Sequence, residues 1–492
     1  MLKSLSKQQL KCYILLALTL GAVILFIAAL ILLSLQWPHP QPTDINASLL
    51  WPYWITYAIL FLLLSLTVYH WRSFDPKYVS TRTAFWLILI VAILARIVVV
   101  LATQPTLSDD IWRYIHDGAT FASGTNPYKT APADIPDNQS ASPPEVLHRI
   151  NHPKLQTIYL PVSQYIFALI SFFKVQTWDA LGDKTFRLAF VLFDIGIIIL
   201  MLKYLAKHTN SPPLKFVNPT LHPKQNHRIW YAILYAWHPL PISEIAGSGH
   251  QDVLGILPLL GAMILYQSTK KSYTRIYLTG KLFAISLAVK PIMLPIFLPM
   301  VWWLRKEKKR MFALILSTTK ILIIIFIPFF FLSGSIDGLL KTSDIFVHQW
   351  AGNGSIYPYI LDIYEGYKNP TILTIGCILF VIIIIGMLAR FNLWKLSLIY
   401  VFAALLLSST VHPWYVLWLL AFIPFNFNLA AWLFTLTISW SYVTHIKSVG
   451  YTVPTPILLA EYIPVYLLVC ISTINFFFTR YKAPKYPTPP SN

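Results

Sequence analysis

Residues 108 to 117, Ser-Asp-Asp-Ile-Trp-Arg-Tyr-Ile-His-Asp, bring three carboxylates, an arginine, a tyrosine and a histidine into ten positions. A helix starting here sets Asp110, Tyr114 and Asp117 on one face and Asp109 with Arg113 on the neighbouring one. Ser108 suits the cap of that helix, and the two acids suit its positive end. An ionised, well-placed carboxylate can take the proton of a hydroxyl while that oxygen attacks an electrophile. Successive helical residues diverge by about 100°, so one acid of the pair would be the base and the other a brace or metal ligand. Helix-start chemistry and an Arg113–Asp117 ion pair account for the same residues without any reaction.

The elements around this string are apolar. Of 492 residues 56% are hydrophobic and only 12% charged, against roughly 25% in soluble domains, and the apolar residues come in long blocks rather than stripes. A soluble protein is excluded; an all-α polytopic membrane protein remains. A hydrocarbon core of about 30 Å needs about 20 apolar residues, which selects spans at 13–35, 49–69, 83–103, 186–205, 229–247, 252–268, 311–332, 371–389 and 457–478. Lys290-Pro291 divides 276–304 into two short helices meeting at the outer surface, since Pro breaks a helix and a mid-membrane Lys is costly. The stretch 395–446 reads as three spans, broken at His412-Pro413 and at Asn426 to Asn428.

Charge orients the bundle. If 158–174 lies flat in the interface rather than crossing, the basic loop with Lys207, Lys215, Lys224 and Arg228 faces the cytoplasm. That choice gives about 14 spans (12–14) with both ends inside, and places 24 of the 38 basic residues on the cytoplasmic side with only Asp75 and Glu307 opposing them. The net charge of +19 is then positive-inside bias, and nucleic-acid binding is not expected. The three cysteines, Cys12, Cys377 and Cys470, lie in or beside apolar blocks and read as packing residues. Residues 1–35 look like an uncleaved anchor within an N-terminal hairpin, 1–82. The main domain is 83–480, with outer loops at 104–185 and 333–370, and a Pro-rich tail at 481–492 reads as disordered. No internal repeat supports a transporter.

The blocks SDDIWRYIHDG, GTNPY, INHPKLQTIYLPVSQ, WHPLPISEIAGSGHQD, LAVKP and VHPWY, in this order between about 83 and 415, resemble the GT-C class of membrane glycosyltransferases. The similarity is to the bacterial polyprenyl-phosphate-mannose-dependent branch, glycosyltransferase family 87. The resemblance implies a GT-C-like helical bundle in the bacterial inner membrane, with a long non-cytoplasmic first catalytic loop containing interfacial helices. It implies a sugar on a polyprenyl phosphate as donor, mannose by family default, transferred with inversion to a lipid or glycan hydroxyl at the outer leaflet, with no cofactor. The base carries over to Asp109 or Asp110. Two features depart from the pattern: the N-terminal hairpin, and His116 where a Trp is expected before the Asp-Gly pair, which bears on sugar or acceptor choice.

Under that scheme a departing phosphate builds negative charge that cations must meet. Lys290 is the leading candidate, then Arg187 with Arg113 behind it; snorkelling and interface anchoring are the plainer accounts. Glu244 is expensive inside a span and reads as functional, while His250 and Asp252 in GSGHQD would contact sugar or hold the catalytic loop. No third ligand accompanies them, and no metal is expected. His412, with Trp414 and Tyr415, would anchor at the interface or stack on substrate, and 344–357 is fit to line an acceptor groove. Tyr114, Tyr128, His152, Pro153 and Tyr159 would pack the loop against the membrane. Two other functions compete: a carrier or flippase for a lipid-linked sugar, which calls for ionisable groups at the midplane, and a membrane phosphotransferase, which calls for a divalent-metal site.

Overall fold

The computed structural model describes residues 6–36, 47–71, 79–136, 139–174, 182–208, 228–268, 272–331, 336–446 and 452–481. Seven helices among them are long and apolar enough to cross a membrane, and shorter apolar helices lie between them. The long ones are α1 (Lys7–Gln36), α2 (Ala47–Trp71), α3 (Thr81–Ala102), α6 (Lys184–Lys207), α9 (Lys308–Phe331), α11 (Lys368–Leu388) and α14 (Thr455–Tyr481). The shorter ones are α4 (Asp110–Ala122), α5 (Pro161–Lys174), α7 (Val253–Gln267), α8 (Tyr273–Leu287), α10 (Asp337–Gln349), α12 (Leu393–Leu407) and α13 (Leu429–Thr437). The chain is an all-helical multi-pass membrane protein.

Helix starts follow their capping residues. Ser80, Ser272, Asn392 and Asn428 each accept a backbone N–H from the first turn of α3, α8, α12 and α13, satisfying a donor that the helix itself leaves unpaired. The breaks expected at Lys290-Pro291, His412-Pro413 and 426–428 are all present. The stretch 229–247 departs from the continuous span expected of it. It winds as a 3₁₀ turn to Ala232, one short α turn to Ala236, a break at His238-Pro239 and a π-helical turn over Ile242–Gly247. Pro239 and Pro241 withhold two backbone donors and force the unwinding.

Unwound backbone at membrane depth needs other partners, and three spans supply them. Arg96 of α3 and Asp194 of α6 form an ion pair with both side chains fully buried. Arg96 also donates to Ala236 O at 2.7 Å, and Tyr235 donates to Asp194 at 2.7 Å. Trp237 donates to Ile88 O, while the His238 ring pairs with Thr435 and accepts the Leu240 N–H. The α1–α2 hairpin is closed by the Thr19–Thr67 hydroxyl pair at 2.7 Å. It leans on the 438–445 turn through Trp54, which donates to Ser439 O, and on α13 through Tyr57, which donates to Thr435 O.

Two close approaches shape the 104–174 region, one within it and one to the start of α10. At Gly118 a Cβ would lie 2.5 Å from Phe167 O, so glycine lets α4 lie directly on α5. At Gly338 a Cβ would lie 1.9 Å from Tyr128 O, so the start of α10 presses onto the first loop. Tyr128, Phe329 and Leu339 form a small second core at that junction. Helix α5 has 14 residues, a rise of about 21 Å, short of the hydrocarbon thickness. The tail from 482, the basic loop residues Lys215 and Lys224, and 175–181 lie outside the described residues.

Candidate functional site

Helix α4 starts one residue later than its sequence suggests. Asp109, not Ser108, occupies the cap position, and its side chain makes no capping bond. The Ser108 hydroxyl instead accepts the Asp110 N–H at 3.3 Å. Both aspartates sit at the helix start and line a cavity of about 990 Å³ bounded by the first loop, the 248–252 turn, the start of the Pro291 segment, α10, α12 and the 411–418 and 441–445 turns.

One amide holds the two acids together. Asn151 Nδ2 donates to Asp109 Oδ1 and to Asp110 Oδ1, 2.8 Å each. Asp110 Oδ2 lies 3.5 Å from the Tyr114 hydroxyl and 3.8 Å from His250 Nδ1. Burial, with the charge of Asp109 beside it, pushes the Asp110 carboxyl up to about 7 against the Asn151 bond. Burial also raises Asp109, against its bonds to Asn151 and to its own backbone. Two buried neighbouring carboxylates resist ionising together, and one is held at the pKa a base needs near neutrality.

Across the cavity Lys290, one third exposed, is fixed by an ion pair to Asp252 at 2.9 Å and lies 3.9 Å from the centre of the Tyr415 ring. Trp418 donates to the same Asp252 oxygen at 2.6 Å. His412 lines the cavity and stacks on Trp414; burial and the charge of Lys290 push its imidazole down to about 3, so it is neutral. The lining combines apolar Pro291, Ile292, Phe346, Val347 and Leu405 with polar His148, Arg149, His152 and His445, and His152 and Phe346 both pack on Trp350. Arg149 rests on the Trp112 ring at 4.6 Å.

Of the remaining expected residues, Arg113 and Tyr114 touch the cavity, while Asp117, Arg187, Glu244, His250 and His116 sit behind its lining. Arg113 reaches the lining but pairs with Asp117 at 2.8 Å, and Asp117 also accepts from Gln164, so Asp117 anchors α4 to α5. Tyr114 stacks on Phe167. Arg187, read above as a phosphate-facing cation, is fully buried and lies outside the lining. Its guanidinium is spent on Asp183, Thr103, Ala246 O and Gly247 O. Glu244 and His250 are likewise fully buried and off the lining. Glu244 accepts from Tyr442 at 2.5 Å and from Ser243 at 3.0 Å. His116, read as a residue of substrate choice, turns away toward Ser142.

Several contributors were not expected. Asn151 lies inside the INHPK string, and its signal is an amide two residues after Arg149. Glu461 of α14 is fully buried and accepts from Asn353 at 2.9 Å. Asn353 adopts a left-handed φ of 58°, and its neighbour Gly352 bonds in both directions to 409–411, so the chain after α10 fastens the HPWY turn. Among the described residues no group of three or more His, Cys, Asp or Glu is arranged to hold a metal ion.

No curated protein and no solved structure matches the chain. A profile of the MptA_B family, described as alpha-(1->6)-mannopyranosyltransferase, N-terminal domain, matches residues 2–307. This stretch contains the paired aspartates, Asn151, Glu244, His250, Asp252 and Lys290. More than half of the sequence is covered, and the chain therefore belongs to this family of mannosyltransferases: it is a membrane-embedded glycosyltransferase.

Proposed function

We propose that the protein transfers a mannosyl group from a polyprenyl phosphate to a hydroxyl of a lipid or glycan acceptor, by single displacement, at the outer leaflet of a bacterial inner membrane. Asp110 is the base and Asp109 its brace. The observation that carries this reading is the Asp109–Asp110 pair, pinned by one amide on the wall of a cavity whose other side presents Lys290.

Asp110 keeps Oδ1 on Asn151, and its Oδ2, which accepts one long bond of 3.5 Å from the Tyr114 hydroxyl, takes the substrate proton. The acceptor hydroxyl gives that proton to Oδ2 as its oxygen bonds to the anomeric carbon. The carbon–oxygen bond to phosphate breaks on the opposite face, and the electron pair leaves with the phosphate, next to Lys290. The apolar lining residues Ile292, Phe346 and Leu405 suit an isoprenoid chain, and the polar Arg149 and His152 suit a hydroxylated acceptor. An α-linked product formed with inversion requires a β-linked donor. The ionisable residues that open onto a cavity cluster at this one, whereas Arg96 and Asp194 within the spans are paired with each other and line no path, which favours an enzyme over a carrier.

The test is transfer by the purified full-length chain in detergent, from prenyl-phosphate mannose to a soluble mannoside, with product stereochemistry read by NMR. Transfer without a sealed bilayer, inversion at the anomeric carbon, and a loss of roughly 10²- to 10⁴-fold in Asp110→Asn are expected. Retention of configuration, or an active Asp110→Asn, overturns the assignment.

A further inference from the structure

His250 is fully buried in the turn after the π-helical segment, its ring stacked on Trp414 with centroids 4.0 Å apart. Its backbone N–H donates to Glu244 O at 2.8 Å, fixing the turn. Nδ1 faces Asp110 Oδ2 at 3.8 Å, and Nε2 faces Glu244 Oε2 at 3.5 Å. Neither ring nitrogen has a hydrogen-bond partner, nor has Glu244 Oε2. Three buried polar atoms in a row, each just beyond bonding distance of the next, require an explanation. Packing alone does not supply one, because a phenyl ring would stack equally well without stranding two nitrogens.

A neutral imidazole has one donor nitrogen and one acceptor, and burial with the nearby Lys290 and His412 keeps His250 well below its ordinary range, hence neutral. Tyr442 and Ser243 both donate to Glu244 Oε1, leaving Oε2, 3.5 Å away and without a partner, as the group that Nε2 faces. With Glu244 ionised, that facing carboxylate oxygen selects the tautomer with its proton on Nε2 and leaves Nδ1 bare toward Asp110. A bare nitrogen stands off from an ionised carboxylate, in keeping with the 3.8 Å gap. It becomes an acceptor the moment Asp110 carries a proton. The other groups facing this array are Tyr114, whose hydroxyl donates to Asp110 Oδ2 at 3.5 Å, Tyr159 beside it, Asp252, whose carboxylate is turned to Lys290 and Trp418, and Arg187, whose guanidinium is turned to Thr103 and Asp183.

We propose that His250, held in its Nε2–H tautomer by Glu244, is the positioning residue that receives a hydrogen bond from Asp110 once Asp110 has taken the acceptor's proton. The inference rests on the assignment of Asp110 as base. During transfer the acceptor O–H bond breaks, its proton goes to Asp110 Oδ2, and the phosphate departs with the electron pair. The new Oδ2–H then donates to Nδ1. The interaction exists only on the product side of proton transfer, so it lowers the barrier without tightening donor binding.

The experiment compares wild-type, His250→Phe and Glu244→Gln full-length protein in detergent, with prenyl-phosphate mannose as donor and octyl mannoside as acceptor, across pH 5 to 10. His250→Phe keeps the stack on Trp414 and removes both nitrogens. In Glu244→Gln the amide donates to Nε2, moving the ring proton to Nδ1, where it stabilises ionised Asp110. In both, the bare nitrogen that favoured protonated Asp110 is gone. The acid limb of kcat/KM is therefore expected to move to lower pH by about one unit, with kcat down about 10- to 100-fold and the donor KM within about twofold. Loss of kcat with the limb unmoved assigns a structural role and overturns the proposal, as does full activity in either variant. Should His250→Phe not elute as a single species, Glu244→Gln alone decides. Wild-type protein without transfer, or an active Asp110→Asn, instead removes the base assignment beneath it.

Discussion

Replacing Asn151 by Ala tests whether the paired acids work as a tuned base or are merely placed. One Asn151 amide donates to both carboxylates at 2.8 Å, and Asp110 stands at about 7 with that donor present. A hydrogen bond to a charged group contributes about 1.5–3 kcal/mol, and one pH unit corresponds to 1.36 kcal/mol. A donor to the ionised form lowers the pKa, so its removal raises Asp110 by about one to two units, to about 8–9. Near pH 7 the ionised fraction then drops from about half to about 1–9%, a loss of about five- to fiftyfold in turnover that is recovered at high pH. The assay is a pH–rate profile of mannosyl transfer with variant and wild type side by side. If Asn151→Ala loses the same factor at every pH, its acid limb unmoved, the amide only positions the acids and the tuning argument fails.

Three further outcomes follow from the same geometry. Lys290→Met is expected to raise the donor KM about 10- to 100-fold by removing a charge-assisted contact to phosphate; a donor titration with KM unchanged would take the phosphate away from Lys290. Arg96→Met, which strands a buried Asp194, should destabilise the fold by about 3–5 kcal/mol, seen as a lower midpoint of thermal unfolding in detergent. Adding Asp194→Leu should recover part of that loss, and a double variant no better than the single would argue against the ion pair as the cause. A cysteine at exposed Lys154, in a chain otherwise free of cysteine, should react with an impermeant maleimide applied to the outside of intact cells. Protection there, with reaction after lysis, would invert the topology.

Much of this arrangement was legible because the signals were local. Proline and asparagine mark the breaks at 290, 412 and 426–428, and hydropathy finds each long span. The adjacent acids in a long polar loop marked one wall of the cavity. What escaped depends on contacts distant in sequence. Asn151 lies 41 residues from Asp110, and nothing local says that its amide turns to the acids. Arg96, Asp194 and Glu461 fall inside spans, where an ionisable group is expensive; the reasoning applied to Glu244 applied to them equally, and only their partners tell structural from reactive use. Arg187 sits at a helix start near the site, and sequence cannot show that Thr103 and two carbonyls have already claimed its donors. The unwinding of 229–247 was legible in Pro239 and Pro241, but the apolar run around them masks it.

That unwinding is what joins the bundle to the chemistry. A straight helix through 229–247 would carry the next turn onward along its own axis. The two prolines and the π-helical turn instead deliver 248–252 to the foot of α4, where His250 meets Asp110 and Asp252 meets Lys290. The bent backbone is tolerable in lipid only because Arg96 takes the carbonyl of Ala236, Trp237 reaches α3 and His238 reaches Thr435. The buried Arg96–Asp194 pair thus acts on the site from a distance by stabilising the path that brings both walls of the cavity together. Arg96→Met protein held folded by lipid should accordingly retain a reduced kcat with its acid limb unmoved, because Asp110, Asn151 and His250 are all still present. A displaced limb in that variant would mean that the pair sets the electrostatics of the base rather than the path of the chain.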